Sequence, residues 1–382
     1  MVSVISLILL LLVNYLMWAF CTPTALLAQL IIVLYFAICI YPLMKIQETW
    51  PLLIFIIFGL FVTICTGTEA WDARSIWLFH AKRIFFDGGL YAQLEEYAPI
   101  HNDYPVLFPA FAATLAKAVG HWNEALPKSA AIFLLIPPLL VILRAFANPM
   151  LFLLFTMGLI KICKDFLFNG YIDAILAIYT CALIFLLIPG VFEILESPKK
   201  NKIIYSILVF LFLTVLPLLK NEGLVILLCI SVASLLFNSS LSKKIYTLSL
   251  SVALLFFFFS WKLPLIDAQM RNDLAIPGTL TRILKRLGDF DSFYLIISSL
   301  THDVWICLMI MLTAVFISKK SSSKIKIPAV FLLLYLSALL AVYFSTPYDL
   351  SWHLGTSLDR TLMTINVVMF GMAILLIKKF RP

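Results

Sequence analysis

Asp72 lies in the longest polar interruption of an otherwise apolar chain. The stretch Thr66–Pro105 reads TGTEAWDARSIWLFHAKRIFFDGGLYAQLEEYAPIHNDYP and holds Glu69, Asp72, Arg74, His80, Lys82, Arg83, Asp87, Glu95, Glu96, His101 and Asp103. Carboxylates, imidazoles and cations at this density suit proton transfer and the binding of an anion. Asp72 follows closely on the expected end of an apolar span, with Trp71 and Trp77 on either side. Partial loss of hydration at a membrane interface makes a carboxylate a better proton acceptor, and so a general base. His101 and Asp103 bring a second imidazole and carboxylate just before apolar sequence resumes. With Asp72 they could hold a divalent ion, Mg or Mn. The competing reading for all of these acids is a solvated loop, and it suits Glu95 and Glu96 best.

Further charges stand at the ends of other apolar runs. Lys220 and Glu222 lie in LKNEGL, Tyr171 and Asp173 in FNGYIDAILAIY, and His353 and Arg360 in WHLGTSLDR. Arg360 begins an apolar run, where an arginine below the interface is costly unless it has a task. Structural alternatives stand beside each. Lys220 and Glu222 could cap a tight connection between spans, Asp173 could complement a helix dipole, and His353 could belong to an aromatic belt.

The frame for these residues is a bilayer. Of 382 residues, 63% are hydrophobic and 13% charged, against about 25% charged in a soluble domain. Runs such as Leu52–Cys65, Ile203–Leu219 and Ala329–Phe344 carry no charge, close to the roughly 17–25 residues that cross a hydrocarbon core. The chain is expected to be an all-α polytopic membrane protein, a single transmembrane domain over residues 1–382 with about twelve spans. They fall near 3–20, 24–44, 51–66, 126–143, 147–161, 174–192, 203–219, 223–238, 245–261, 299–317, 327–344 and 361–378. The N-terminal MVSVISLILLLLVNYLMWAF lacks a basic leader and a small-residue cleavage site, so it reads as a retained helix. The seven cysteines sit in or beside apolar runs without a C-x-x-C pair and read as small hydrophobes.

Basic residues orient the spans. Lys45, Arg144, Lys199, Lys200, Lys202, Lys243, Lys244, Lys319, Lys320, Lys324, Lys326, Lys378, Lys379 and Arg381 fall on one face by this count, which is then cytoplasmic. Glu48, Glu193 and Glu196 are the acids that share it. The net charge of +8 is thus inner-leaflet anchoring, and no nucleic-acid surface is expected. The outer face receives three loops, 67–125, 262–298 and 345–360, and the segments Lys161–Asp173 and Lys220–Glu222. In the first loop, Ala73–Phe86 mixes aromatic and cationic residues as an interfacial helix does, and Asp87-Gly88-Gly89 ends it with a turn. Val106–Val119 is apolar but short: re-entrant, interfacial, or a deep part of the loop. The loop 262–298, with Asp267, Arg271, Asp273, Arg282, Lys285, Arg286, Asp289 and Asp291, is either an amphipathic cover over an acceptor or solvated.

The pattern WDARSIW-x-x-HAK followed by HNDYP resembles the first periplasmic loop of the GT-C glycosyltransferases, among them the protein O-mannosyltransferases and the aminoarabinose transferases of lipid A. FNGYIDAILAIY, LKNEGL and WHLGTSLDR resemble patches of bacterial members. Two extra spans before the acidic loop, and no large soluble C-terminal domain, depart from the pattern, and the second departure argues against an oligosaccharyltransferase-like member. The resemblance implies a sugar moved from a polyprenyl-phosphate donor to an envelope glycan, lipid or protein, on the outer face of a bacterial inner membrane. It implies inversion by single displacement, with Asp72 as base and the donor phosphate held among Arg74, Lys82, Lys220, Glu222, His353 and Arg360. Arg360 is the favoured cation. Glu69, His101, Asp103, Tyr104 and Asp173 would support the acceptor, with a Mg or Mn ion left open between Asp72 and Asp103. Two rival readings are a lipid-linked glycan polymerase or ligase, and a twelve-span secondary transporter. A transporter would place its polar groups near the midplane, and the 13 glycines form no recurrent small-xxx-small pattern.

Overall fold

The computed structural model describes residues 1–44, 46–94, 101–188, 191, 200–237, 240–268, 277–318 and 322–378. Outside them lie Lys45, Glu95, Glu96, Glu193, Glu196, Lys199, Arg271, Asp273, Lys319, Lys320, Lys379 and Arg381, and the side chains of Lys200, Lys202, Lys243 and Lys324. Among the described residues every regular element is a helix. The N-terminal group is α1 (Val2–Phe20), α2 (Ala25–Leu43) and α3 (Ile46–Cys65). After it come α4 (Leu78–Asp87), α5 (Leu107–Val119), α6 (Ala125–Lys128), α7 (Ala130–Phe146) and α8 (Pro149–Cys163). The central group is α9 (Asp173–Leu187), α10 (Lys200–Leu219), α11 (Asn221–Phe237) and α12 (Ser240–Phe257). The last are α13 (Leu263–Asp267), α14 (Thr279–Gly288), α15 (Phe290–Ser318), α16 (Ser322–Ser345) and α17 (Leu350–Ile377).

Local chemistry sets several boundaries. Thr24, Asn148 and Asp349 open α2, α8 and α17 by accepting from the backbone N–H of Leu27 (3.2 Å), Met150 (2.8 Å) and Trp352 (2.9 Å). Each cap satisfies a first-turn amide that has no partner inside its helix. The turn expected at Asp87-Gly88-Gly89 forms, with Gly88 left-handed at the end of α4.

A helix falls on each of the twelve stretches read as spans, but among the described residues seven are long and apolar enough to cross a membrane. They become eight if Phe290–His302 and Val304–Phe316, bent by 51°, make one span. The shortfall is one of length: α8, α9 and α11 have 15, 15 and 17 residues. Every residue of α9 is buried, so its 15 residues, about 22 Å long, sit inside the bundle against α7, α10 and α17. Several other helices turn large apolar side chains outward: Leu26, Val33 and Ile40 on α2, Ile57 and Phe61 on α3, Ile306 and Phe316 on α15. So much exposed hydrocarbon needs lipid around it, and the chain is a multi-pass helical membrane protein.

The bundle has two chemically distinct ends. At one, Arg144 reaches Glu48 (3.5 Å), Lys378 Nζ donates to Ala145 O (2.9 Å) and Lys326 lies over Phe237 (5.9 Å). The other end begins about 26 Å along α17 from Ile377, at Arg360. There α3, α9, α10, α11 and the first loop bring their polar termini together.

The first loop is more deeply packed than an interfacial reading implies. The chain enters α4 through a π-helical turn, Ala73–Trp77, and Ala73, Ile76, Trp77, Leu78, His80, Ala81, Arg83 and Ile84 are buried. In α5, residues Leu107–Ala116 are all buried, so Val106–Val119 is the deep-lying alternative. Trp18 Nε1 donates to Thr114 Oγ1 (2.7 Å), which donates in turn to Asn14, tying α5 to α1. In the second loop, α14 packs on α15 and α16.

Candidate functional site

The polar end holds a chain of linked charges built from five segments. Arg360, on the third turn of α17, donates from Nη1 to Asp72 Oδ2. Its Nε donates to Thr356 O (3.1 Å), and its guanidinium lies 5.3 Å from the centre of the Tyr171 ring. The Asp72 backbone N–H donates to the Tyr171 hydroxyl (3.3 Å). Tyr171 therefore touches both members of the pair, and burial raises its pKa, as does the Asp72 charge. Both side chains of the pair are largely shielded, 16% exposed for Arg360 and 12% for Asp72.

FNGY is the device that brings Tyr171 there. Asn169 donates from Nδ2 to Asp165 (3.2 Å) and accepts from Tyr171 N (3.1 Å). Gly170 is left-handed, with φ +93°, and a Cβ on it would meet Ala73 Cβ at 3.3 Å and Lys128 Cγ at 3.4 Å. A glycine lets this loop press against the turn that carries Asp72. Lys128 Nζ, beneath, donates to Thr66 O (2.5 Å) and Gly67 O (3.2 Å), pinning the end of α3.

The second part of the chain is the corner at Lys220, the single residue between α10 and α11. Lys220 Nζ is 2.8 Å from Asp173 Oδ1 and 2.8 Å from Glu222 Oε1. Burial alone would lower the lysine's pKa, but the two carboxylates outweigh it, so Lys220 stays protonated with its pKa raised. Gly223 makes the corner possible: a Cβ there would sit 2.0 Å from Leu216 O. The corner walls a cavity of about 10 Å³ with Tyr335, Thr361, Thr364 and Arg360, roughly the room of one water.

A third group ties the corner to the first loop. Asn221 Nδ2 donates to Asp103 Oδ2 (2.7 Å) and its Oδ1 accepts from Lys262 Nζ (3.3 Å). Trp261 Nε1 donates to Asp103 O (3.0 Å). Trp261 and Lys262 belong to a second π-helical turn, Phe258–Lys262. Tyr104 stacks between Trp77 (5.5 Å) and His101 (4.8 Å) and lies under Lys220 (5.9 Å). Burial pushes its phenol pKa up, and Glu222 adds to the effect. His101 carries a left-handed backbone, φ 51°, an uncommon conformation for a residue with a side chain.

Of the residues singled out in the sequence, Asp72, Asp103, Tyr104, Asp173, Lys220, Glu222 and Arg360 converge here, with His101 at the edge. Arg74, Lys82 and Glu69 are exposed and lie outside the cluster. His353 packs on the rings of Tyr343 (5.2 Å) and Tyr348 (5.9 Å), two turns before Arg360. The loop's buried cation is Arg83, whose guanidinium donates to Leu90 O (2.7 Å) and Ala92 O (2.7 Å). His80 is buried, and its pKa falls to about 3, chiefly through burial and then through Arg83, so it is neutral at physiological pH. Among the described residues no three of His, Cys, Asp or Glu gather as a metal-ligand set. Asp103 is instead bonded to Asn221 and Trp261 rather than to Asp72.

Sequence reasoning missed Asn221, Trp261, Lys262, Tyr335, Thr361 and Thr364. Trp261-Lys262 at the end of an apolar run was a readable signal, whereas Tyr335 inside a span carried none. Comparison with family models, with curated proteins and with solved structures gives no match for this chain. The site is thus read from its own chemistry. It offers one carboxylate and one guanidinium, and beside them a hydroxyl-lined corner in which two carboxylates hold one lysine.

Proposed function

We propose that this chain is a glycosyltransferase of GT-C type, moving a sugar from a polyprenyl-phosphate donor to an envelope acceptor at the outer face of the bacterial plasma membrane. The observation that carries the reading is the Asp72–Arg360 pair, a proton acceptor and an anion-binding group joined across 288 positions of sequence at a helix mouth. A secondary transporter would want such groups at the midplane; here Asp72 follows the end of α3, and Arg360, on the third turn of α17, meets it toward the polar end of the bundle. The twelve-span topology belongs to the same reading, with α8, α9, α10 and α11 as short spans beside the seven long ones and the bent α15.

In this mechanism the donor phosphate competes with Asp72 for the Arg360 guanidinium, leaving the carboxylate free to take a proton. The acceptor hydroxyl attacks the sugar's anomeric carbon while the bond from that carbon to the phosphate oxygen breaks. The electron pair leaves on the phosphate, which goes from a diester monoanion toward a monoester dianion, and the acceptor's proton passes to Asp72. Charge grows on the phosphate as the bond breaks, so Arg360 binds the transition state more tightly than the ground state. Attack opposite the leaving group inverts the anomeric centre. Asp72→Asn keeps the shape and removes the base. Transfer of labelled sugar in membrane vesicles should fall by about 10²–10⁴-fold, and transfer at the parental rate would reject the assignment.

A further inference from the structure

We infer that the Lys220 corner is the sugar-recognising half of the site, with Asp173 and Glu222 accepting hydrogen bonds from hydroxyls of the transferred sugar. The inference rests on the glycosyl-transfer reading and adds to it the group that reads the donor. Each of the two carboxylates gives one oxygen to Lys220. The other oxygen of each, Asp173 Oδ2 and Glu222 Oε2, is buried with no hydrogen-bond partner. The Asp173 side chain is only 4% exposed, and both residues line the same cavity. An ionised carboxylate oxygen can only accept, and leaving one buried without a donor is unfavourable. Whatever fills the cavity must therefore bring donors.

Charge narrows the choice. Asp173 and Glu222 occupy Lys220 between them, so of the two cations lining the cavity Arg360, 16% exposed against 5% for Lys220, is the one a phosphate can reach. The two halves of a sugar phosphate then sort themselves, anion to Arg360 and hydroxyls to the corner. Thr361 and Thr364 follow Arg360 within about one turn, or roughly 6 Å, so a single helix fixes the spacing between the phosphate and its sugar. With room for about one water, the cavity admits one hydroxyl in place of that water. Glu222, 29% exposed, stands nearer the mouth for a second. The bonds from Asn221 to Asp103 and Lys262 hold the corner in place before any ligand arrives, which lowers the ordering cost of binding.

The test compares two classes of lipid on the full chain in nanodiscs. The probes are undecaprenyl phosphate alone and undecaprenyl phosphate bearing glucose, galactose, mannose or arabinose, with dissociation constants read by native mass spectrometry. At least one sugar-bearing lipid should bind about tenfold to a hundredfold more tightly than the bare phosphate, as expected for hydrogen bonds to charged acceptors. Glu222→Gln and, independently, Thr364→Val should each shrink that ratio to about threefold or less, while Arg360→Gln should weaken both lipid classes. Equal binding of bare and sugar-bearing lipids, or an unchanged ratio in both corner variants, would overturn the subsite and leave glycosyl transfer standing. Binding of neither lipid class would overturn the subsite and the parent reading together.

Discussion

A guanidinium a few turns into a membrane helix is stable only when matched, and Arg360 is matched twice, by the Asp72 carboxylate and by the face of Tyr171. That such a residue had a task was legible from sequence, because charge at an apolar boundary is costly wherever the helix turns it. The partner was not. Arg74 and Lys82 stood closer to Asp72 in the chain and looked equally able, but sequence does not say which way around a turn a side chain points, and both point out. The same blindness hid the setting of His80, which reads as one of the cations of an interfacial helix and is a buried neutral imidazole. Its pH behaviour is testable. The folded pKa, about 3, lies below the unfolded value of about 6.5, so the unfolded chain binds the extra proton between them. Stability should thus be full above pH 6.5 and fall as the pH drops toward 3, by up to about 1.4 kcal/mol per pH unit from this group. Melting of the purified protein between pH 7 and 4.5 should show that slope, and His80→Gln should flatten it. An identical slope in the variant would mean that other groups drive the loss.

Helices set what each residue can reach, and their irregularities matter more here than their lengths. Two π-helical turns, Ala73–Trp77 and Phe258–Lys262, flank the first loop's contacts with the Lys220 corner. Single π-turns of this kind are frequent at functional sites. Composition and periodicity made the helices predictable, since apolar runs bounded by charge leave few alternatives. They did not make the π-turns predictable, because an inserted residue leaves the apolar pattern nearly unchanged. Nor did they reveal that α14 serves as a clamp. Arg286 donates to the carbonyls of Tyr343 (3.1 Å), Phe344 (3.2 Å), Thr346 (2.8 Å) and Tyr348 (3.1 Å). It satisfies orphan carbonyls at the end of α16 and holds the link that leads into α17, the helix carrying Arg360. Arg286→Met should release that link without touching Asp72 or Lys220. The expected result is a melting temperature lower by several degrees, faster protease cleavage near residues 346–349, and reduced sugar transfer through misplacement of Arg360. A single ammonium cannot span four carbonyls, so Arg286→Lys should recover little. Full activity and normal cleavage in Arg286→Met would show that α14 does not position α17.

At the scale of the molecule, the argument from charge becomes one about sides. Basic residues at cytoplasmic helix ends orient a chain; of those expected there, Arg144, Lys326 and Lys378 stand at the end opposite the Asp72–Arg360 pair. The natural cysteines make the assignment measurable without engineering the site. Cys39, Cys163, Cys181, Cys229 and Cys307 are buried, whereas Cys21 and Cys65 are exposed. Cys21 follows the end of α1, near the contact of Thr22 with Gly88, and Cys65 ends α3 just before Thr66 and Gly67, which bind Lys128. Both therefore belong to the polar end. In intact spheroplasts a membrane-impermeant maleimide should label the wild-type chain, and Cys21→Ser combined with Cys65→Ser should abolish that labelling. Lys378→Cys in the double-serine background should react only after the membrane is opened, since α17 carries that position to the far end of the bundle. Labelling of Lys378→Cys in sealed spheroplasts, with Cys21 and Cys65 silent, would invert the chain. Asp72 and Arg360 would then face the cytoplasm, and a donor reached from the outer leaflet would have no access to them.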